Sequence, residues 1–396
     1  MIKFLDSLGD IHSKPVLVRC DLNLPFQDGL VSDTTRAEAT APTIKELADK
    51  GAVVLILAHF GRPGGQVIPE MSLRPVAAVL EKIVKRPVQF MENCVGQEIE
   101  ARCQTLAPGS IVLLENTRFH PGEKKNDPDL AQQMARLGSL YVNDAFSCAH
   151  RAHASTHALA KLLPAYAGRS MERELSMLTQ ALGDPKRPVL AIIGGAKVST
   201  KIDVLLHLVT RLDHLMIGGG MANSFLYALD KPVGSSFCEK DLAPTVLEIM
   251  EQAQASGCQI LLPEDVVVTR DSAPGSPNRT IDPKDVKDDE IILDLGPQTI
   301  SRWKAVLKDA RTCVWNGPLG TFETPPFDQA TVDLAKSVAE LTKDSRILSV
   351  AGGGDTVAAL NHAGVTKDFS FISTAGGAFL EWLEGKSLPG VTVLDS

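Results

Sequence analysis

Apolar runs of strand length recur along this chain, and most end in glycine or in a polar residue. "PVLVRCDLN", "AVVLILAHF", "SIVLLENTRF" and "LYVNDAF" come first. After residue 185 come "PVLAIIGG", "HLMIGGG", "QILLPEDVVV", "EIILDLG", "TCVWNGPLG", "RILSVAGGG" and "FSFISTAGG". Helical segments such as "TTRAEATAPTIKELADKG" and "DLAQQMARLG" lie between many of them. Continuous apolar strands alternating with helices are the pattern of buried parallel sheets. Two such series in 396 residues predict an α/β protein with two doubly wound parallel-sheet domains. The joint falls in "GRSMERELSMLTQALGDPKRP", which reads as a linker helix over 169–183 stopped by Gly183 and Pro185.

Bulk properties narrow the function. No apolar stretch approaches the roughly 18 residues of a membrane span, and "MIKFLDSLGDIHSKP" has acids where a signal peptide needs an apolar run. A cytoplasmic setting is expected. Seven cysteines without a Cys-x-x-Cys pair suit reduced thiols, with Cys20 and Cys313 as core fillers. The net charge of -8 argues against nucleic acid as a partner. That charge is uneven. Residues 1–170 hold 19 Lys and Arg against 18 Asp and Glu, and the remainder holds 21 against 30. A local basic site for a small anion is therefore expected in the first half.

Ligands of doubly wound folds sit outside the carboxyl ends of the strands. In the first half those ends carry Asp21 and Asn23, His59 and Arg62, Arg118 and His120, then His150, Arg151 and His153; Arg36 follows Asp33 at a helix start. One such arginine is ordinarily a solvated charge. Several at separate strand ends repel one another unless an anion lies among them. Arginine grips carboxylate and phosphate with paired donors. Asp21 and Asn23 can accept from a hydroxyl or orient an arginine.

The second half collects glycines: Gly194-Gly195, Gly218 to Gly220, Gly352 to Gly354 and Gly376-Gly377. Glycine lets backbone amides approach a ligand, and helix N-termini favour phosphate. In "AGGGDTVAALN", Asp355 reads as a plain helix cap or as the carboxylate of a magnesium ion carried by nucleotide phosphates. Lys197 and Lys201 are expected on one helix face, one turn apart. Like charges there cost roughly 0.2–0.5 kcal/mol, a penalty that bound phosphate removes. No segment is a P-loop: Ala196 and Val198 flank Lys197, and "GKS" at Gly385 to Ser387 lacks the earlier glycine.

The segments "RCDLNLP", "AHFGRP", "ENTRFHPGE", "NDAFSCAHRAHAST", "GGAKVSTKI", "GGGMANSF", "WNGPLGTFE", "GGGDTVAAL" and "STAGGAFLEWLEG" together resemble the phosphoglycerate kinases, in the family's order and over essentially the full chain. The resemblance implies two Rossmann-like domains facing a cleft. It places a 3-phosphoglycerate-binding domain at 1–168 and the linker helix at 169–183. A Mg-nucleotide-binding domain follows at 184–377, and 378–396 returns to the first domain. It assigns the acid to Asp21, Asn23, Arg36, His59, Arg62, Arg118 and Arg151. It assigns ADP or ATP to Gly195, Ala196, Lys197, Lys201, Gly219, Asn316, Glu323, Gly352, Gly353, Gly354, Asp355 and Thr356. Glu323 would accept from the ribose, and Asp355 would hold Mg2+. Ile292, Ala375 and Phe379 depart from the family's pattern, the first beside the adenine and the others in the glycine run.

The resemblance further implies reversible transfer between 1,3-bisphosphoglycerate and ADP, giving 3-phosphoglycerate and ATP, by a monomer that closes on both substrates. Arg36, Lys197 and Lys201 would neutralise the phosphoryl group in flight, since such transfer needs alignment and charge more than covalent help. The attacking group is a carboxylate, so no general base is required. Two other classes fit the sequence less well. A nucleotide-binding scaffold without catalysis is opposed by intact Arg36, Lys201 and Asp355. A dinucleotide oxidoreductase lacks G-x-G-x-x-G with its ribose acid.

Overall fold

The computed structural model describes residues 2–395. The chain divides into two compact units, Met1–Leu175 with Ser387–Ser396, and Ser176–Lys386. Each is built on one six-stranded parallel sheet. In the first, the strands lie in the order Val88–Met91, Ile111–Leu114, Val53–Leu57, Pro15–Arg19, Leu140–Asn143, Ala165–Ala167. In the second the order is Gln259–Leu261, His214–Ile217, Val189–Ile193, Thr312–Asn316, Leu348–Gly352, Phe371–Ser373. Val53–Leu57 and Val189–Ile193 are buried at every position, which is why they read as unbroken apolar runs.

Register sets the site. Arg19 lies opposite both Leu57 and Asn143, so Cys20-Asp21, Ala58-His59 and Asp144 leave the sheet at one edge. Ile193 lies opposite Ile217 and Asn316, bringing Gly194, Gly218 and Gly317 to one edge of the second sheet. Each chain path starts mid-sheet, runs outward one way, then returns to run the other way. The reversal falls between Pro15–Arg19 and Leu140–Asn143, and again between Val189–Ile193 and Thr312–Asn316. Such reversals open the crevice that ligands use.

Four expectations need correction in detail. "QILLPEDVVV" is two strands: Gln259–Leu261 ends before Pro263, and Val266–Thr269 joins a small antiparallel sheet. "EIILDLG" forms Ile291–Leu295 of that same small sheet, paired antiparallel with Val266–Thr269, and is no part of the parallel one. The helix expected as linker is Arg169–Leu178 with a wide final turn Thr179–Gly183, and the division between units falls inside it, after Leu175. The returning segment begins at Ser387, not at 378. Helix Gly376–Leu383 stays with the second unit, because buried Phe379 packs where a side chain on Gly352 would stand and Lys386 pairs with Asp203 at 3.1 Å. Cys20 and Cys313 are buried, and all seven cysteines are free. Among the described residues no helix is long and apolar enough to cross a membrane.

Candidate active site

In the first unit the site grows from the reversal point. Asp21 Oδ2 accepts from Ser147 Oγ at 2.6 Å, and its Oδ1 lies 3.3 Å from Asn23 N and 3.4 Å from Arg36 Nη1. Arg36 is the second residue of helix Thr35–Asp49, whose start is held by Asp33 accepting from Thr35 N and Oγ1 at 2.8 and 2.6 Å. A cation there opposes the helix dipole, and the Asp21 carboxylate offsets it. Arg36 also donates to Asn23 O at 3.2 Å. Asn23 Oδ1 accepts from Gly61 N at 2.9 Å, and Gly61 O accepts from Arg118 Nη1 at 2.7 Å. Asp21, Asn23, Arg36 and Arg118 are thus one connected network. Arg118 Nε is buried without a partner. The Arg62 and Arg151 residues are exposed, and their guanidinium groups make no protein hydrogen bond among the described residues.

The electrostatics of this edge ask for an anion. Burial pushes His59 well below the ordinary histidine range, and Arg19, Arg118, His153 and Arg36 push it further. Burial, then Arg19, Arg118 and Arg151, hold His153 down at about 4. Burial also weakens the proton affinity of Arg118. Clustered cations with buried, unprotonated histidines are the setting that a bound carboxylate or phosphate would relieve.

In the second unit Lys201 spans the reversal. Its Nζ donates to Gly194 O at 2.6 Å and Asn316 O at 3.0 Å, the ends of the two strands that flank it. Burial lowers its pKa to about 8, with Asp355 pulling the other way. Lys197 is not beside it on a helix face. Lys197 is extended and precedes the short turn Val198–Thr200; Lys201 precedes helix Ile202–Val209. The turn Val198–Thr200 breaks the helix that the spacing implied. Lys197 instead stands exposed, its Nζ 5.9 Å from the Phe237 ring centroid.

A cavity of about 380 Å³ lies alongside. Gly195, Ala196, Gly219, Glu323 and Asp355 line it, and so do Ile292 and Phe237. Asp355 is the second residue of helix Gly354–His362; the cap position is Gly353 and receives no side-chain bond, so Asp355 is not a plain cap. Asn316 and Thr356 lie beneath, not in the cavity wall. Both donate to Gly352 O, at 2.7 and 2.8 Å, and Thr356 Oγ1 accepts from Gly317 N at 2.7 Å. Asn316 Oδ1 is left buried without a partner. Gly353 has φ +100°, and a Cβ there would stand 2.7 Å from Asn316 Nδ2, so this turn admits only glycine. Among the described residues no group of three or more His, Cys, Asp or Glu is placed to hold a metal. A single carboxylate suits magnesium, which keeps waters and takes its other ligands from nucleotide phosphates.

Sequence reasoning missed Arg19, Ser147 and Gly317. Arg19 ends the apolar strand "PVLVR", which the sequence shows, but its full burial comes only with the fold. Ser147 is tied to Asp21 only by folding. Gly317 has φ +100° and lies under Lys201, where a Cβ would stand 2.9 Å from Nζ.

An arginine-rich sheet edge in one unit and a glycine-rich edge with a lysine and one carboxylate in the other define a nucleotide-using phosphotransferase. The family model for phosphoglycerate kinase matches residues 5–386. A phosphoglycerate kinase of Rhizorhabdus wittichii is 61% identical over 392 residues, 99% of each chain. One of Sphingopyxis alaskensis is 58% identical over 392 residues, 99% of this chain and 98% of the relative. The solved phosphoglycerate kinase from Coxiella burnetii superposes with a TM-score of 0.93 at 38% identity, covering 100% of this chain and 99% of that one. The chain belongs to the phosphoglycerate kinase family, phosphotransferases with a carboxyl group as acceptor.

Proposed function

We propose that this chain transfers a phosphoryl group reversibly between 1,3-bisphosphoglycerate and ADP, giving 3-phosphoglycerate and ATP. The observation that carries the reading is Lys201, a lysine drawn under two strand ends beside a cavity edged by the exposed carboxylates of Glu323 and Asp355. Arg62, Arg118 and Arg151 would hold the acid's phosphate, with Asp21, Asn23, Arg36 and His59 ordering its other end. Gly195, Ala196, Gly219 and Glu323 would receive the nucleoside. Asn316 and Thr356 shape the turn from Gly352 to Gly354, whose amides would face the phosphates. Arg36, Lys197 and Lys201 are the groups assigned to the charge of the transferred phosphoryl. Asp355 would hold Mg2+, which when bound supplies charge neutralisation to the nucleotide phosphates. The attacking carboxylate is already ionised at neutral pH, so the chain supplies no base.

In this reading the enzyme acts as a cytoplasmic monomer on small molecules, with neither nucleic acid nor membrane as partner. Attack needs near-contact at roughly 3–3.5 Å, so the cycle includes closure on both substrates, which also keeps water from the phosphoryl group. Purified protein should consume ATP only when 3-phosphoglycerate and magnesium are present. ATP binding without turnover would favour a scaffold, and nicotinamide reduction an oxidoreductase; either result overturns the proposal. Scattering should give a smaller radius of gyration with both ligands than with either alone, and a ligand-independent radius would remove the closure step.

A further inference from the structure

Arg19 is the last residue of strand Pro15–Arg19, fully buried, and every part of its guanidinium is engaged. Nε donates to Ser155 Oγ at 2.9 Å, Nη1 to Cys20 O at 2.5 Å, and Nη2 contacts His59 Nδ1 at 2.9 Å with Cys148 Sγ at 3.6 Å. Ser155 passes the charge on. Its Oγ donates to Glu123 Oε1 at 2.6 Å and its N to Oε2 at 3.0 Å, and Glu123 is itself fully buried, also receiving Thr117 Oγ1 at 3.2 Å. Arg19 and Glu123 are therefore a buried ion pair relayed through one hydroxyl, fixed from several elements at once.

A guanidinium has five N–H donors and no acceptor. In its contact with His59, Nδ1 must accept. A neutral imidazole that accepts at Nδ1 carries its proton on Nε2. His59 Nε2 has no protein partner among the described residues, so the ring's one N–H is left for a ligand. We propose that Arg19 is a positioning residue that locks His59 as the Nε2–H tautomer, making the ring a fixed hydrogen-bond donor to the anionic substrate. This rests on the reading of His59 as an acid-site residue. The opposite tautomer would turn a lone pair toward an anion. An imidazolium would add a charge beside Arg19, Arg118, Arg36 and His153, which face the ring; the remaining neighbour, Cys148 at 3.7 Å, is a thiol whose pKa burial raises. The locked tautomer gives the bond without the charge.

Long-range proton–nitrogen correlation spectra of the ligand-free protein read the tautomer directly. His59 should show Nε2–H from pH 6 to 8; an Nδ1–H ring or an imidazolium at pH 7 would overturn the proposal. Arg19→Lys keeps a charge and a donor and should keep the tautomer. Arg19→Met frees Nδ1, and the spectra should then show a measurable Nδ1–H fraction at pH 7, while burial, Arg118, His153 and Arg36 still disfavour the imidazolium. A folded Arg19→Met protein that still shows His59 as Nε2–H alone would also overturn it. If that variant does not fold, the wild-type and Arg19→Lys spectra decide. Because the spectra need no ligand, a wrong tautomer and a wrong substrate are separate failures.

Discussion

Lys201→Met should separate catalysis from stability. Burial holds Lys201 at about 8, against 10.5 for a free lysine. The folded pKa is the lower one, so the unfolded chain binds more protons between pH 8 and 10.5, and stability rises with pH across that window. Below pH 8 the enclosed charge costs at most about 3 kcal/mol, at 1.36 kcal/mol per unit. Solvent reaching this half-buried side chain screens part of it. Methionine removes that cost but leaves Gly194 O without its side-chain donor, at about 1–3 kcal/mol, while Asn316 O keeps the Gly194 N–H at 3.0 Å. The terms oppose, so unfolding free energy at pH 7.5 should stay within about 3 kcal/mol of wild type. Turnover should fall about 10²- to 10³-fold, the loss of one preorganised donor to developing charge. Urea unfolding at pH 7.5 and 9.5, beside steady-state kinetics, tests both. Turnover within tenfold of wild type would refute the role of Lys201. A variant that kept the wild-type rise in stability above pH 8 would refute the buried-charge account.

Arg62→Ala removes an exposed side chain with no structural bond, so it should weaken 3-phosphoglycerate binding by about 10- to 150-fold, or 1.5–3 kcal/mol, with the ATP Kd unchanged by calorimetry; unchanged acid binding would remove Arg62 from the site. Asp355→Asn should raise the magnesium concentration needed for half-maximal turnover without altering the acid's Kd, and a wild-type magnesium profile would sink the metal role. Gly317→Ala should cost about 1–3 kcal/mol of stability from its positive φ and lower kcat by displacing the Lys201 ammonium; a normal kcat would show that Nζ is not placed by this glycine. His153 is held neutral to about 4, mainly by burial. Its folded pKa is below the unfolded 6.5, so stability present above pH 6.5 should fall by about 3 kcal/mol towards pH 4, and His153→Gln should flatten that acid limb in denaturant titrations.

The parallel sheets were legible because buried strands such as "VVLIL" and "VLAII" carry no alternation, and few other structures want such runs. Edge strands Val88–Met91 and Ala165–Ala167 were not, since half-exposed positions break the apolar signal. The Val266–Thr269 and Ile291–Leu295 strands read like the others, because a run's composition does not record its partner's direction. Of the proposed site residues, Asp21, Asn23 and Arg36, which the fold brings together, stand out in the sequence by their types at strand and helix ends. The pair Lys197 and Lys201 misled, because spacing alone cannot show that the turn Val198–Thr200 intervenes. Arg19 escaped notice because an arginine inside a strand looks like a surface charge until its burial is known.

The returning segment has a consequence for synthesis. Gly390 accepts from Asn143 Nδ2 at 3.0 Å and donates to Ala149 O at 2.9 Å, so it braces both the strand end beside Arg19 and the loop that carries Cys148 and Arg151. It sits too close to Ala149 for a side chain, since an added Cβ would be 2.9 Å from Ala149 Cα. Residues from Ser387 onward are translated only after the whole of the second unit has been made. All strands of the first unit's sheet are therefore made early, but the loop that carries Arg151 gains this brace only when the message has been read past Lys386. A chain released at Lys386 would contain every strand of both parallel sheets and lack the brace, so the returning segment ties the proposed anion site of the first half to completion of the second.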